Sequence, residues 1–594
     1  MKQTPGFPAR GIIIAVIFLT CCAPGWAQEL LNKTVSVEAH QQPLADVLKA
    51  VGKQGGFYFS YSSDLFRDDR PVTCVARNKT VKQVLDILFE GSCQYREVRG
   101  HIVLQSGREK YYFISGYVLD GATGRRMGNT SVYEQQQLAS ALTNDDGYFR
   151  LKLRNKYPST ATVAISKDAY LDTFITIRQG YDQELTVPMM PVRNVSLPEY
   201  VVTPETGKME KNWFARVFLS SRQQIQSMNI NKFFVSKPFQ LSAIPGVGTH
   251  GKLGAQVINK FSFNMLGGYT AGTNGFEIGG IFNIDRKSVG YAQVGGVFNV
   301  VGGSVSGVQV AGVLNSVLDS VAGVQVGGIT NFVRGNVSGV QAGGIYNHVL
   351  DHVEGVQVSG VVNVVQRGLK GVQVAGTGNF VRGKMEGMQV AGTGNITTGT
   401  VTGTQISGTF NYARRLDGVQ ISLINIADTS DGYSLGLLNI VRKGYHKIAV
   451  STGELTDITV ALKTGNARCY SILLAGSNVD EQRKAYTFGY GMGKEFSLAK
   501  NKKWPLTTEA TVQTVYLGNW DDVSLVLRLQ PSLHFRPVKW FSVFAGPSVS
   551  VSFYGGDQQY AGYAAGMPYR EYPSARLVND FACWLGWHFG ISLF

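Results

Sequence analysis

The chain of 594 residues carries 71 glycines but only 18 prolines, with 16% charged and 44% hydrophobic residues. Glycine at about 12%, against a usual ~7%, without a proline excess or a Gly-X-Y period, excludes a collagen and a Pro/Gly-rich disordered chain, and the apolar content excludes intrinsic disorder. The formal charge of +15 reads as cationic loops and interior facing anionic lipid or polysaccharide, with no nucleic-acid partner.

In chain order, Lys2 and Arg10 precede and flank an uncharged apolar run, Gly11 to Leu19, and Gly25-Trp26-Ala27 places small residues at the −3 and −1 positions of a cleavage site. Residues 1–27 read as a secretory signal peptide, since the apolar run is too short to span a bilayer. Cys21 and Cys22, preceded by Thr20 and by another cysteine, are poorly placed for lipidation. No later stretch has the eighteen apolar residues that a membrane helix needs. Four cysteines follow: Cys74 and Cys93 are candidates for a disulfide in an oxidising compartment, and Cys469 and Cys583 fall in strand-like segments.

Residues 30–105 alternate strand and helix patterns in the order β-α-β-β-α-β-β. Leu44, Val47, Leu48 and Val51 share one helical face, and Val81, Val84, Leu85, Ile87 and Leu88 share another, with Thr80 as its cap. Arg99-Gly100 joins the last two strands. The segments Gln42-Pro43-Leu44-Ala45-Asp46-Val47-Leu48 and Thr80-Val81-Lys82-Gln83-Val84-Leu85-Asp86 resemble the secretin and TonB short N-terminal (STN) domain. The resemblance implies a periplasmic protein-interaction module that at times contacts inner-membrane regulators; a plain α/β spacer is the alternative.

Residues 112–191 turn to all-β patterning with Thr-Gly and Asp-Gly turns, as in a β-sandwich. Ile114-Ser115-Gly116-Tyr117-Val118-Leu119-Asp120 and Thr143-Asn144-Asp145-Asp146-Gly147-Tyr148-Phe149-Arg150-Leu151 resemble the carboxypeptidase regulatory-like domain. That resemblance implies a structural module without zinc or catalytic residues, of the kind that precedes outer-membrane barrels in Bacteroidota-type bacteria. Residues 192–250 read as a linker. Within it Leu197-Pro198-Glu199-Tyr200-Val201-Val202-Thr203 resembles, weakly, the strand that TonB-dependent receptors offer to TonB. The stretch before the next strand-like region is too short for a plug domain, a departure from the receptor pattern.

The glycine excess lies in residues 251–445. Asn283, Asn299, Asn315, Asn331, Asn347, Asn363, Asn379, Asn395 and Asn411 recur every sixteen residues, as do the glutamines from Gln293 through Gln309 to Gln405. The unit Gly307-Val308-Gln309-Val310-Ala311-Gly312-Val313-Leu314-Asn315 is similar to bacterial surface repeats of the GVQVAGxxN type. Two architectures compete. One is a parallel β-solenoid with one coil per repeat and stacked Asn and Gln ladders. The other, expected here, is an antiparallel meander with one strand per repeat, Val305 to Val317, and charges such as Asp319, Arg334, Asp351, Arg367 and Arg382 in the turns. Its face of Val308, Val310, Gly312 and Leu314 bears no charge, as a lipid-facing wall requires, and Gln309 faces a lumen.

In residues 446–594, Leu525, Leu527, Leu529, Leu533 and Phe535 alternate with Ser524, Arg528, Gln530, Ser532 and His534. Tyr486, Phe488, Tyr490 and Met492 alternate with small residues, and Leu585, Trp587, Phe589, Ile591 and Leu593 share one face of the terminal strand. This is the pattern of transmembrane strands. The expected fold class is therefore mainly β: a small α/β module, a β-sandwich and a transmembrane antiparallel barrel of about 20 strands. The alternative is a sixteen-residue-coil solenoid beside a barrel of about eight strands.

No catalytic, cofactor-binding or metal site is expected. No zinc-protease, serine-hydrolase or phosphate-loop motif is present. His348 and His352, with Asp351 between them, fall at a turn and make a poor metal pair. Gln309 and its equivalents are candidates to line a pore or bind glycan, or are simply satisfied polar groups. The expected protein is a non-enzymatic outer-membrane protein of a Gram-negative bacterium, its N-terminal domains periplasmic. It would have membrane lipid, envelope proteins through residues 30–105 and, weakly, TonB as partners, with a role in solute or glycan binding or passage. The alternatives are a surface adhesin built on a solenoid and an envelope signal transducer.

Overall fold

The computed structural model describes residues 30–61, 71–89, 93–106, 111–155, 160–192, 209, 213–479, 484–497, 503–516, 520, 523–553, 572–578 and 581–593. The signal-peptide reading of 1–27 and the TonB-strand reading of 197–203 fall outside them. By packing, the chain divides into two units. The first runs to Ser115 and takes in Arg150–Thr162 and Thr176–Leu185; the second holds the rest.

In the first unit, helices α1 (Leu44–Gly55) and α2 (Val81–Phe89) cover two small sheets. Thr34–Pro43 pairs antiparallel with Pro71–Thr80. His101–Ser106 takes Tyr58–Tyr61 as a parallel neighbour and Cys93–Val98 as an antiparallel one. Val47, Leu48 and Val51 of α1 and Val81, Val84 and Leu85 of α2 enter one core, as the helical spacing requires. Ile87 does not: it lies on the exposed side of α2. Thr80 caps α2 reciprocally, its Oγ1 accepting from the Gln83 N–H at 3.2 Å while Gln83 Oε1 accepts from the Thr80 N–H at 3.1 Å. Cys74 and Cys93 are buried free thiols; burial raises both, Cys93 to about 11, so they stay protonated.

The strands from Tyr111 to Met189 form two sheets, one of four strands and one of three. Ile114 and Val118 are fully buried, and Asp120 turns the chain by accepting the Ala122 N–H at 2.8 Å.

In the second unit the repeats form a parallel coil stack. Val305–Ala311 pairs in parallel with Val321–Gly327, and Leu314–Val317 with Thr330–Val333, each residue beside its equivalent sixteen positions on. One coil thus holds a longer strand, a corner at Gly312-Val313, a four-residue strand and a second corner around Leu318-Asp319-Ser320. Twenty-five strands make the stack. At ~4.8 Å per coil, about twelve coils give a rod of roughly 60 Å.

The interior explains the period. Val305, Gln309, Ala311, Asn315 and Val317 all point inward and are buried. A buried amide without partners costs about 1–3 kcal/mol, and here its own equivalent one coil away, joined for the asparagines by a backbone carbonyl, satisfies it. Asn315 Nδ2 donates to Asn331 Oδ1 at 2.9 Å and to the Val326 carbonyl at 2.7 Å. Gln325 Nε2 donates to Gln309 Oε1 at 2.8 Å. The Asn ladder donates toward the C-terminus and the Gln ladder toward the N-terminus, so their amide dipoles oppose one another. Glycine follows from coil-to-coil approach. At Gly323, with φ of 132°, a Cβ would sit 2.1 Å from the Gly307 carbonyl oxygen, and at Gly328 1.9 Å from that of Gly312.

Three expectations are corrected here. The repeats are not the wall of an antiparallel barrel of about 20 strands, because their pairing is parallel. Val305 to Val317 is not one strand, since the chain turns at Gly312-Val313 and the alternation of faces breaks there. The 192–250 linker contains structure. It holds α3 (Trp213–Phe218), α4 (Ser221–Asn229) and the strand Val235–Ile244, which is the first rung of the stack, and the stack ends with Leu438–Val441.

Helix α4 closes the first end of the rod. Its Ser227 receives the Tyr269 hydroxyl at 2.8 Å and Arg286 at 2.7 Å, while Asn229 Nδ2 reaches the Asn129 carbonyl of the sandwich at 2.8 Å. Ile230 and Leu253 pack with Tyr133 and Ala164. An open stack edge is a template for further strands; on the first rung itself, Val247–Gly248 folds back antiparallel on Val235–Ile244, and the Thr249 N–H reaches the Leu241 carbonyl at 2.9 Å.

Candidate functional site: a closed barrel and the capped end of the rod

After Val441 the pairing switches to antiparallel. Tyr445–Gly453, Ile458–Asn466, Cys469–Ser477, Tyr486–Ser497, Pro505–Tyr516, Ser524–Val538, Phe541–Phe553 and Phe581–Leu593 form consecutive neighbours, and the last strand pairs back onto the first, Ile448 beside Leu593. The result is a closed barrel of eight strands, with the short strand Ser574–Val578 added to the last one.

The barrel is apolar outside and polar inside. Leu525, Leu527, Leu529, Leu533 and Phe535 are exposed on the outer wall, whereas Ser524, Arg528, Gln530, Ser532 and His534 are buried within, as the alternation predicts. Leu585, Trp587, Phe589 and Leu593 also face outward. From Leu525 to Phe535, at ~3.3 Å per residue and ~40–45° tilt, the apolar strip is about 24 Å tall. Aromatic residues collect at both of its ends. Trp504 lies 4.8 Å from Phe535 at one, and Tyr516 lies 4.7 Å from Trp520, with Tyr486 beside it, at the other.

Ion pairs cross the interior. Arg528 meets Glu454 at 2.5 Å, and Ser548 and Ser550 donate to the same carboxylate at 2.7 and 3.2 Å. Lys463 meets Glu509 at 2.5 Å, with the Tyr470 hydroxyl on that carboxylate at 2.7 Å. Lys447 and Arg536 share Glu495, each at 3.0 Å. A cavity of about 30 Å³ remains between Lys463, Glu509, Gln513, Arg528 and His588, room for about one water. Eight strands enclose just the volume that side chains fill, so the lumen is a packed polar core. Only Arg528 and His534 of this set stood out in the sequence. The signal for the others was parity: Lys447, Lys463 and Glu509 each occupy the inward register of an apolar strand.

The rod ends on this barrel. Asn466 Nδ2 donates to the Gly432 carbonyl at 2.7 Å, Arg468 to that of Asp431 at 2.6 Å and Tyr490 to that of Gly436 at 2.6 Å, while Ser471 Oγ accepts the Asn439 N–H at 3.2 Å. These are backbone groups of the last coils, so the barrel satisfies the open edge at this end of the stack.

The remaining sequence candidates take separate places. Gln309 lines no pore; it is sealed between Gln293 and Gln325. His348 is partly buried beside Phe332 and Tyr346, which lowers its pKa, whereas His352 is exposed and bonds Asp351 at 2.6 Å. The two histidines do not converge, and no cluster of three potential metal ligands occurs among the described residues. Cys469 is a buried free thiol and Cys583 a partly buried one.

One titratable cluster escaped the sequence reading. Asp285 and Glu277 are fully buried in the first coils and share the Gln293 amide, which donates to Asp285 Oδ2 at 2.5 Å and to Glu277 Oε2 at 2.8 Å. Burial, then the neighbouring Glu277 charge, pushes the Asp285 carboxyl well above its ordinary range. These two acids stand where later coils carry residues such as Val301 and Gln293, within the same ladder columns.

Comparison with known proteins finds no matching family model, no matching curated protein and no matching solved structure.

Proposed function

We propose that this chain is a non-enzymatic outer-membrane protein, anchored by the eight-stranded barrel and holding a rigid rod on the periplasmic side. The observation that carries this is the inverted barrel: an apolar outer strip about 24 Å tall between two aromatic bands, around an ion-paired interior. A water-soluble barrel would expose that apolar strip to solvent.

Loop lengths support a side for the rod. Tyr445 and Leu593 lie at one end of the barrel, with the connections 467–468, 498–504 and 539–540, none longer than seven residues. The connections 454–457, 478–485, 517–523 and 554–580, longer in total, are at the other. Outer-membrane barrels keep short turns in the periplasm and long loops outside. The rod joins the short-turn end, which favours a periplasmic rod over a surface adhesin. The interior packing disfavours solute passage through the barrel. The better-supported role is a spacer and docking element for envelope partners. The STN-like and regulatory-like resemblances fit such an envelope-partner role.

Three measurements test this. Heat-modifiable electrophoretic mobility and detergent-dependent extraction are expected for the barrel; extraction by salt or carbonate alone would refute it. Protease added to intact cells should leave 235–441 uncut and cleave it only after the outer membrane is permeabilised. Cleavage in intact cells would reverse the orientation.

A further inference from the structure

The longer strands of the rod present an outward face that is exposed among the described residues of the second unit. Its two columns run through Phe261, Phe276, Val308, Val324, Val340 and Met388 and, two residues on in each strand, through their neighbours such as Phe263, Val310 and Val326. From Val235–Ile244 to Tyr433–Leu435 the register places no charged residue in either column. Val340 is 39% and Phe261 62% exposed. Other solvent-facing positions of the rod do carry charge, among them Glu354, Lys370 and Glu386 in the column just outside.

We propose that this face is the interface with a second copy of the chain, two rods lying side by side with like rungs at like heights. Area is the first argument. Two columns about 13 Å wide along a rod of roughly 60 Å make a flat face of about 800 Å². That exceeds the usual largest apolar patch of ~300–600 Å² on a monomer and matches the ~800 Å² that each partner contributes to a standard interface. Shape is the second: the face is an uninterrupted sheet of mostly β-branched residues, the surface that packs against another sheet at about 10 Å.

Symmetry is the third argument, and it rests on the membrane reading above. Two barrels inserted with the same orientation are related by an axis along the membrane normal, so a closed assembly aligns each coil with the same coil of its partner. The apolar columns have that uniformity, the same residue class at every level. A bilayer as the occupant fits less well: the flanking column mixes Glu354 and Glu386 with Lys370 rather than forming the basic rim of membrane-surface elements. The barrel also meets the rod at its open edge and not along this face.

The test places the photo-crosslinker p-benzoylphenylalanine at Val308 in the full-length protein in cells, and at Arg334 on a corner as control. Irradiation is expected to yield a species of twice the chain mass from Val308 and none from Arg334. Adding Val324→Glu and Val340→Glu, both on the outward face, should abolish that species while heat-modifiable mobility is retained. A Val308 probe that gives no product, or only products of other masses, overturns the proposal, as does a doubled species that survives both glutamates. Loss of heat modifiability in the unsubstituted protein instead overturns the membrane reading, and a doubled species would then still support the interface.

Discussion

Asn331→Ala separates a sealed ladder from any arrangement in which the repeat asparagines face water. The Asn331 side chain accepts from Asn315 at 2.9 Å and donates to Asn347 Oδ1 at 2.8 Å and to the Ala342 carbonyl at 2.6 Å. It is fully buried. Truncation strands the Asn347 oxygen, at about 1–3 kcal/mol, and takes one donor from the Ala342 carbonyl, while Asn315 keeps its bond to the Val326 carbonyl at 2.7 Å. The lost amide volume adds to this, so about 3–6 kcal/mol is expected locally. Stack stability is a sum of coil and nearest-neighbour terms, so the effect stays within adjoining coils. Native-state hydrogen exchange on the intact protein should show peptides from 321–353 exchanging about 10²–10⁴-fold faster, with little change beyond residue 395. At the last rung, Asn439 receives Asn425 and donates to Gly436, and has no following coil to lose. Asn439→Ala is therefore expected to cost less. Unchanged exchange in Asn331→Ala, or an acceleration spread over the whole stack, would refute the ladder account.

Arg528→Met leaves Glu454 buried with its serine partners alone, and Glu454→Leu strands Arg528. Each is expected to lower the temperature at which heat-modifiable mobility is lost by the equivalent of about 3–5 kcal/mol, whereas the double variant should recover most of it; additive losses would count against a coupled pair. Leu529→Arg on the outer wall should cost about 2–4 kcal/mol if that face meets lipid at mid-depth, measured by folding into bilayers, and a neutral result would count against a membrane wall. Asp285 works in the opposite sense to a salt-bridged acid. Its folded pKa is raised, so its contribution is fully present below the unfolded value of ~3.9 and is lost as pH rises through the folded one. Asp285→Asn should therefore stabilise the first coils at neutral pH and flatten their pH dependence, read by hydrogen exchange of 270–300 at two pH values; destabilisation at neutral pH would refute this sign.

Much of the barrel was legible because each strand answers to one local rule. Leu525 to Phe535 must alternate faces, whatever its neighbours, and one apolar side suffices to assign inside and outside. The same holds for α1 and α2, where helical spacing places Val47 and Val84 in a core. Ile87 shows the limit of that rule: it sits at the margin of an apolar arc, and only packing decides which side is covered. The ion pairs were harder to read because Lys447 and Glu495 lie far apart in sequence and meet across the barrel. The buried pair of Asp285 and Glu277 was missed for a similar reason, since each acid alone looks like a surface residue.

The sequence by itself determined that the chain is mainly β, that glycine is concentrated in a sixteen-residue unit, and that Asn and Gln recur in phase. It did not decide between a wall and a coil. An apolar outward column around Val308 and Val310 suits either, and the strict period suits both an antiparallel meander and a parallel stack. Tertiary structure decided through pairs that exist only between coils. Asn315 finds its partner in Asn331, and Gly323 lies so close to the Gly307 carbonyl that a side chain has no room. An antiparallel neighbour would invert the direction of every second strand and break both contacts. That constraint requires parallel stacking through the repeat and leaves the eight strands beyond it to close on themselves.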